Sequence, residues 1–310
     1  MRILITDGLH ERGRDLLIAA AQIDDRTGIS AVDLLDAVPN YDAMIVRGRT
    51  QVTAQVFEYG TRLKVVGRAG VGVDNIDLAA AEAHGVIVVN APKATTLAVA
   101  EHTLGLMLAL ARMIPRADSS MKAAKWLKKD LGGVELNGKV LGVVGVGNIG
   151  SAVAHRADFL GMKVLGYDPH RTRDEMYRWG ARPAALADLY AQADFISLHA
   201  PLNAETRCMI NVQALGSMKA GVRLICTARG GIIDEKALLE ALESAHVAGA
   251  ALDVFAGEPP GITALVAHPN MIATPHIGAQ TSEAQERAAQ DIAEEVLAAF
   301  RGEPLRWRVV

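Results

Sequence analysis

The sequence predicts an α/β protein of two lobes, each a doubly wound parallel sheet wrapped by helices. Three observations point there. Short β-branched runs alternate with helical patterns along the chain, the mark of strand–helix–strand units. Aromatic residues make up only 4% while alanine, valine, leucine and glycine dominate, a composition suited to helices packed on a buried sheet. The alternation also starts twice, at the N-terminus and again at Lys139, and 310 residues are enough for two cores.

In chain order, residues 2–6 read as a strand, 10–21 as a helix, and 43–47, 64–68 and 86–90 as strands, the last ending at Ala91-Pro92. Residues 95–112 carry a long helical pattern that reads as the crossing between lobes. The second series runs through a strand at 140–144, a helix at 150–159 and strands at 163–167, 195–198, 223–226, 249–252 and 271–273. An amphipathic helix at 282–300 reads as a return to the first lobe. The expected domains are therefore a discontinuous one, 1–95 with 281–310, and a continuous one, 96–280.

Half the residues are apolar and 22% are charged, a soluble globular composition. A net charge of -3 and the lack of a long basic stripe argue against a nucleic-acid partner, and Trp126-Leu127-Lys128-Lys129 reads as a solvated face. Cys208 and Cys226 form no metal-like spacing and no disulfide framework, and no His-Glu-x-x-His pattern supports a metal site. The N-terminus reaches Asp7 too soon for a signal peptide. The apolar stretch 97–114 is broken by Glu101 and His102, which makes it a buried helix rather than a membrane span. The expected location is the cytoplasm.

The strongest local motif is Gly145-Val146-Gly147-Asn148-Ile149-Gly150, which follows the apolar run 140–144 and opens a helix. Its first two glycines permit a tight turn and close approach of backbone to a pyrophosphate, and the third lets helix and strand pack. The anion then sits on the helix N-terminus, where free N–H groups and the dipole favour it. Asp168 ends the next apolar run and is placed to hydrogen-bond the adenosine ribose hydroxyls. Its charge should repel a 2′-phosphate and favour NAD over NADP, although Arg171 and Arg173 weigh the other way. The bland alternative for Asp168 is a turn residue before Pro169. Agreement of strand, turn, helix and acid favours the nucleotide.

Three later segments combine loop chemistry with a functional polar group: Thr227-Ala228-Arg229-Gly230-Gly231, Gly257-Glu258-Pro259-Pro260 and Thr274-Pro275-His276-Ile277-Gly278. Each follows an expected strand, and in a doubly wound sheet such ends converge on the cofactor crevice. Interconverting a hydroxy acid and a keto acid needs a group that holds the carboxylate and polarises the carbonyl, which arginine does with a planar fork. It needs a group that moves the hydroxyl proton, which histidine does near neutral pH. It needs a carboxylate that fixes and charges that histidine. Taken singly, Arg229 could be a surface arginine, Glu258 a solvated acid and His276 an ordinary loop histidine. The three together favour a site. His84, His102 and His199 are assigned to structure.

With these motifs, the chain strongly resembles the D-2-hydroxyacid dehydrogenase family along nearly its whole length. The similarity also rests on 66–77, on Glu135-Leu136-Asn137-Gly138-Lys139 and on Ala250-Ala251-Leu252-Asp253-Val254-Phe255. Within the family the members acting on 3-phosphoglycerate are most alike. The resemblance implies a Rossmann cofactor domain, a flavodoxin-like substrate domain, and NAD and substrate held in the cleft between them. It implies that Arg229, His276 and Glu258 are catalytic and that Asp253 holds the nicotinamide carboxamide. Backbone from Ala200, Thr227, Gly278 and Ala279 lines the cofactor. Gly70, Val71 and Gly72 offer N–H groups to the substrate, and Arg47 and Arg68 face its phosphate. Arg49 is read as a surface charge.

The resemblance further implies a homodimer with the 95–125 region in its interface, and Arg112 reaching the partner's site. Lys93-Ala94-Thr95-Thr96 departs from the family's short Gly, Asn and Ser or Thr cluster, which leaves other 2-hydroxy acids, among them glyoxylate and hydroxypyruvate, as alternatives. A non-catalytic NAD-sensing corepressor is a further one. Cys226 stands where the family commonly has asparagine and is read as a small buried residue. With Val310 as the last residue, no feedback through a C-terminal regulatory domain is expected.

Overall fold

A computed structural model describes residues 1–310. Contacts divide the chain into two units, Met1–Thr96 with Ala279–Val310, and Leu97–Gly278.

The first unit is a five-stranded parallel sheet of β1 (Arg2–Ile5), β2 (Gln22–Asp25), β3 (Ala43–Val46), β4 (Val65–Arg68) and β5 (Ile87–Asn90), in the order β2-β1-β3-β4-β5. That is the flavodoxin-like order, with its reversal between β1 and β3. Ile3, Leu4, Ile5 and all of Ala43–Val46 are fully buried, because a parallel sheet is covered on both faces and favours unbroken apolar runs. Burying each of the larger side chains contributes about 1.5–3 kcal/mol. The helix Ser282–Arg301 lies on this sheet through Ile292, Ala293 and Val296. Its approach to β4 requires a glycine there: a Cβ on Gly67 would lie 2.8 Å from Ile292 and Val296 side-chain atoms. Thr281 caps the helix start and Gly302, at φ 68°, ends it. Beyond it the chain pairs antiparallel with β5, Val309 N–H donating to the Val88 carbonyl at 2.8 Å, which covers a sheet edge.

The second unit is a seven-stranded parallel sheet of β6 (Val140–Val144), β7 (Lys163–Tyr167), β8 (Arg182–Pro183), β9 (Phe195–Leu198), β10 (Val222–Cys226), β11 (Val247–Leu252) and β12 (Met271–Ala273), ordered β12-β11-β10-β9-β6-β7-β8. This is the doubly wound dinucleotide-binding order, reversing between β6 and β9, where ligands bind outside the carboxyl ends of the strands. The helix Thr96–Arg112 buries Ala100, Thr103, Met107 and Ala111, its apolar face packing with Leu141, Phe195, Ile225 and Ala251. It ends at Met113, in left-handed conformation at φ 53°. No single helix is long and apolar enough to cross a membrane.

Three expected boundaries move by two residues or more, one of them the start of the strand expected at 249–252, which is Val247. The helix expected at 10–21 is Glu11–Ile18, and the N–H groups of Ala20 and Ala21 both turn back onto the Leu17 carbonyl so that the chain can enter β2. The helix expected from 150 begins at Asn148, inside the glycine-rich turn.

Candidate active site

The glycine-rich turn sits at the β6–β9 reversal. Gly145 has φ 88°, and a Cβ there would lie 2.7 Å from both the Ala200 nitrogen and the His199 carbonyl carbon, so only glycine lets the turn rest on the chain leaving β9. A Cβ on Gly150 would come 2.0 Å from the Gly145 carbonyl oxygen. One on Gly147 meets nothing within 4 Å and would project into open space, the cradle a close-lying pyrophosphate needs. No side chain caps the helix Asn148–Phe159, and Ile149 and Gly150 are among the first-turn residues whose N–H groups a helix leaves without internal partners.

Asp168 directly follows β7. Its carboxylate accepts from Val146 N–H at 2.8 Å and His170 N–H at 2.9 Å, which fixes it beside the glycine-rich turn. Arg171 lies over the Trp179 ring, 5.4 Å from its centroid, and 3.6 Å from Glu175. These donors, this gap and this acid fit a dinucleotide with an unmodified ribose. His199, just past β9, donates its backbone N–H to Val144 and shares a 2.8 Å hydrogen bond with Ser197 through Nε2. One edge of the residue reaches solvent, but Nδ1 is covered without a partner, and burial pushes the imidazole down to about 4.

His276 and Glu258 meet at 2.8 Å through Nδ1 and Oε2. A carboxylate only accepts, so Nδ1 carries the proton and Nε2 is left to exchange one with a substrate. His276 stands at φ 54°, a conformation rare for a side chain of this size and typical of functional loops. Glu258 is steadied in turn by Phe255 N–H, which donates to its other oxygen at 3.1 Å.

Asp253 organises the His276 loop. Its side chain is 1% exposed; Oδ1 accepts from the Thr274 hydroxyl at 2.6 Å and Ile277 N–H at 2.9 Å, and Oδ2 from Gly278 N–H at 2.8 Å. Burial alone would raise its pKa, yet these bonds and one from His102 outweigh that and hold it below the usual carboxylate value. Sequence reasoning assigned His102 to structure. The ring reaches across from the helix Thr96–Arg112, Nε2 lying 3.2 Å from Thr274 Oγ1 and 3.3 Å from Asp253 Oδ1.

The Arg229 loop is tied to the same framework. A Cβ on Gly230 would sit 1.8 Å from the Phe255 carbonyl oxygen, so this loop lies directly on the backbone that carries Glu258. Thr227 and Thr103 share a 2.8 Å hydrogen bond. Thr103 gives its proton to the Val99 carbonyl, so Thr227 is the donor. Arg229 is half-buried and donates to the Ala228 carbonyl at 2.7 Å. Cys226 is buried, and that burial pushes its thiol up to about 11, which removes it as a nucleophile at neutral pH.

In the first unit, Arg47 and Asp7 stand at the β1–β3 reversal. Asp7, whose side chain is 4% exposed, accepts from Arg47 N–H at 2.8 Å, Thr50 N–H at 3.1 Å and the Thr50 hydroxyl at 2.5 Å. The half-buried Arg47 donates from Nη2 to Gln280 Oε1 at 3.1 Å. Burial lowers its pKa from the ordinary arginine value, partly offset by the Asp7 charge. Arg49, read as a surface charge, pins the loop by donating to the carbonyls of Thr6 at 2.8 Å and Ile29 at 3.2 Å. Gly70 has φ 152°, and a Cβ there would meet Arg68 Nη1 at 1.6 Å, so the guanidinium lies across bare backbone. Asn90 holds the next residue, donating from Nδ2 to the Val71 carbonyl at 2.7 Å. The importance of Asp7 had one signal in the sequence, an acid just past the first strand, while Gln280 had none.

Residues 104–278 match the family model described as D-isomer specific 2-hydroxyacid dehydrogenase, NAD binding domain. The chain belongs to that family. As a 2-hydroxyacid dehydrogenase family member it is 47% identical over 305 residues to D-3-phosphoglycerate dehydrogenase of Synechocystis, covering 98% of this chain and 55% of that relative. It is 47% identical over 304 residues to the Bacillus subtilis protein of the same name, covering 98% and 58%. The chain thus spans about half the length of the curated relatives it matches. Among solved structures, a glyoxylate reductase from Paecilomyes thermophila superposes with a TM-score of 0.92 at 30% identity, covering 100% of this chain and 98% of the other. D-lactate dehydrogenase from Aquifex aeolicus, complexed with NAD and lactic acid, gives 0.85 at 30%, covering 97% and 96%. NAD is the cofactor of this family's domain, in keeping with the turn, helix end and acid described above.

Proposed function

We propose that the chain interconverts a D-2-hydroxy acid and its 2-keto acid with NAD, 3-phosphoglycerate and 3-phosphohydroxypyruvate being the pair. The observation that carries this reading is the 2.8 Å contact between His276 Nδ1 and Glu258, which leaves Nε2 as the proton-exchanging atom. In the oxidative direction Nε2 takes the C2 hydroxyl proton, and the Glu258 charge stabilises the imidazolium so formed. In the reductive direction Nε2 returns it. Arg229 holds the substrate carboxylate and polarises the carbonyl with its fork. NAD, when bound, supplies the hydride acceptor. Ile149 and Gly150 N–H groups hold its pyrophosphate, Asp168 its adenosine ribose, and backbone from Ala200, Thr227, Gly278 and Ala279 lines the rest.

Phosphate binding is assigned to Arg47 and Arg68, with Gly70, Val71 and Gly72 offering backbone donors. It is supported by the partly desolvated Arg47 guanidinium, whose side-chain partner is a neutral amide, and by the names of the relatives. Glyoxylate or hydroxypyruvate reduction is a second reading, favoured by the structural likeness to a glyoxylate reductase. The His276–Glu258 pair speaks against a purely NAD-sensing role. A homodimer belongs to the proposal, supported by exposed Leu97, Leu108, Ile114, Met121 and Trp126 along 97–126, as does a cytoplasmic location. The test is a panel of 2-keto acids with and without a 3-phosphate, followed by NADH absorbance. Turnover confined to unphosphorylated acids selects the second reading, and none at all removes both.

A further inference from the structure

The groups around Asp253 contain a donor that neither the fingerprint nor the acid/base pair uses. Thr274 has one hydroxyl proton, and it points to the Asp253 carboxylate at 2.6 Å. Its oxygen, 3.2 Å from His102 Nε2, can therefore only accept on that side. Asp253, ionised, likewise only accepts. The Nε2 atom must carry a proton, shared between Thr274 and Asp253.

We propose that His102 is a positioning residue for the acid/base loop: its Nε2–H locks the Thr274–Asp253 pair and so sets the path of 274–278 on which His276 stands. The inference rests on the functional reading above for its kinetic consequence, though not for its structural one. A nearly dry carboxylate that holds three groups of one loop gives that loop a single arrangement only if its own orientation is fixed. His102 supplies that from outside the loop. It stands on a long helix whose next residue, Thr103, bonds Thr227 of the Arg229 loop. The two catalytic loops are thus spaced by consecutive residues on one rigid element.

The test compares His102→Leu, which lacks the donor, with His102→Gln, whose amide N–H reaches about as far. Amide hydrogen exchange in the full chain reads the loop directly. In His102→Leu, Ile277 and Gly278 should exchange at least about tenfold faster while amides of β6 keep their rates, and His102→Gln should restore most of the protection. With NADH and the keto acid that turns over, kcat of His102→Leu should fall by about 10- to 100-fold with KM little changed, and His102→Gln should recover it. Unchanged exchange at Ile277 and Gly278 overturns the proposal, as does loosening spread evenly over the unit, or parental kcat in a loosened loop. A parent that turns over no keto acid defeats the functional reading alone, and the exchange comparison still decides the role of His102.

Discussion

Glu258 holds the imidazole of His276 by a 2.8 Å hydrogen bond to Nδ1, and Glu258 is itself held by Phe255 N–H, the same residue whose carbonyl oxygen abuts Gly230. The His276 ring, Glu258 and the Arg229 loop therefore all lean on the segment 255–258. Removing the imidazole should abolish proton transfer without touching the glycine-rich turn. His276→Ala should lose at least about 10²–10⁴ in kcat while NADH affinity stays within a few-fold, read by turnover and by NADH fluorescence titration. Glu258→Gln keeps a hydrogen-bond acceptor but no charge, and should lose less than His276→Ala. Parental kcat in the alanine variant would remove His276 from its role.

Two glycines of the fingerprint make opposite demands. A Cβ on Gly150 would overlap the Gly145 carbonyl at 2.0 Å, whereas one on Gly147 has nothing within 4 Å. Gly150→Ala should lower the melting temperature and lose NADH binding together. Gly147→Ala should melt as the parent does and still bind NADH at least tenfold more weakly, because its methyl group takes the space of the ligand. Calorimetry and fluorescence titration separate the two, and undiminished NADH affinity in Gly147→Ala would contradict the assignment of that gap.

Much of this was readable from the chain alone, and what was not has physical causes. The buried strands β3 and β6 are unbroken apolar runs and β9 is interrupted only by Ser197, the pattern that a parallel sheet covered on both faces produces. The edge strand β2, Gln22-Ile23-Asp24-Asp25, has one apolar residue and becomes a strand only by pairing with β1. The helices Ala54–Tyr59 and Leu78–Ala83 are too short to show a helical period. In the candidate site, Arg229, Glu258 and His276 could be singled out from sequence because the proposed chemistry calls for those residue types after strands. His102 could not. A helix position shows its period but not its partner, and Asp253 and Thr274 come from strand ends far along the chain. Gln280 is equally mute in sequence, since its bond to Arg47 joins residues 233 positions apart.

Asp168 is fixed by Val146 and His170 N–H groups beside the glycine-rich turn, where the proposed reading puts the adenosine ribose. Asp168→Ala should therefore weaken NAD and relax discrimination against NADP, with kcat/KM for the two cofactors as the measurement. An unchanged preference would refute the electrostatic account of this acid.

Arg47 should discriminate by phosphate. A charge-assisted contact contributes about 1.5–3 kcal/mol, which is roughly 10- to 100-fold in affinity. Arg47→Ala should raise KM for the phosphorylated keto acid by that factor and leave an unphosphorylated analogue nearly unaffected. Equal losses on both would mean that Arg47 serves the loop rather than the phosphate.

His199 makes the second unit sensitive to acid. Its imidazole is held at about 4, against 6.5 for the free group, because burial disfavours the cation. Between those values the unfolded chain binds a proton that the folded one refuses. Stability is therefore undiminished above the unfolded value and falls as pH drops from about 6.5 towards 4. From pH 7.5 to pH 5 this one group should remove about 2 kcal/mol. His199→Asn retains a polar group for Ser197 but does not titrate. Its urea unfolding, followed by tryptophan fluorescence at both pH values, should lose about 2 kcal/mol less than the parent over the same interval. Identical losses in parent and variant would mean that His199 takes up its proton in the folded protein, and that the burial of Nδ1 does not govern its charge.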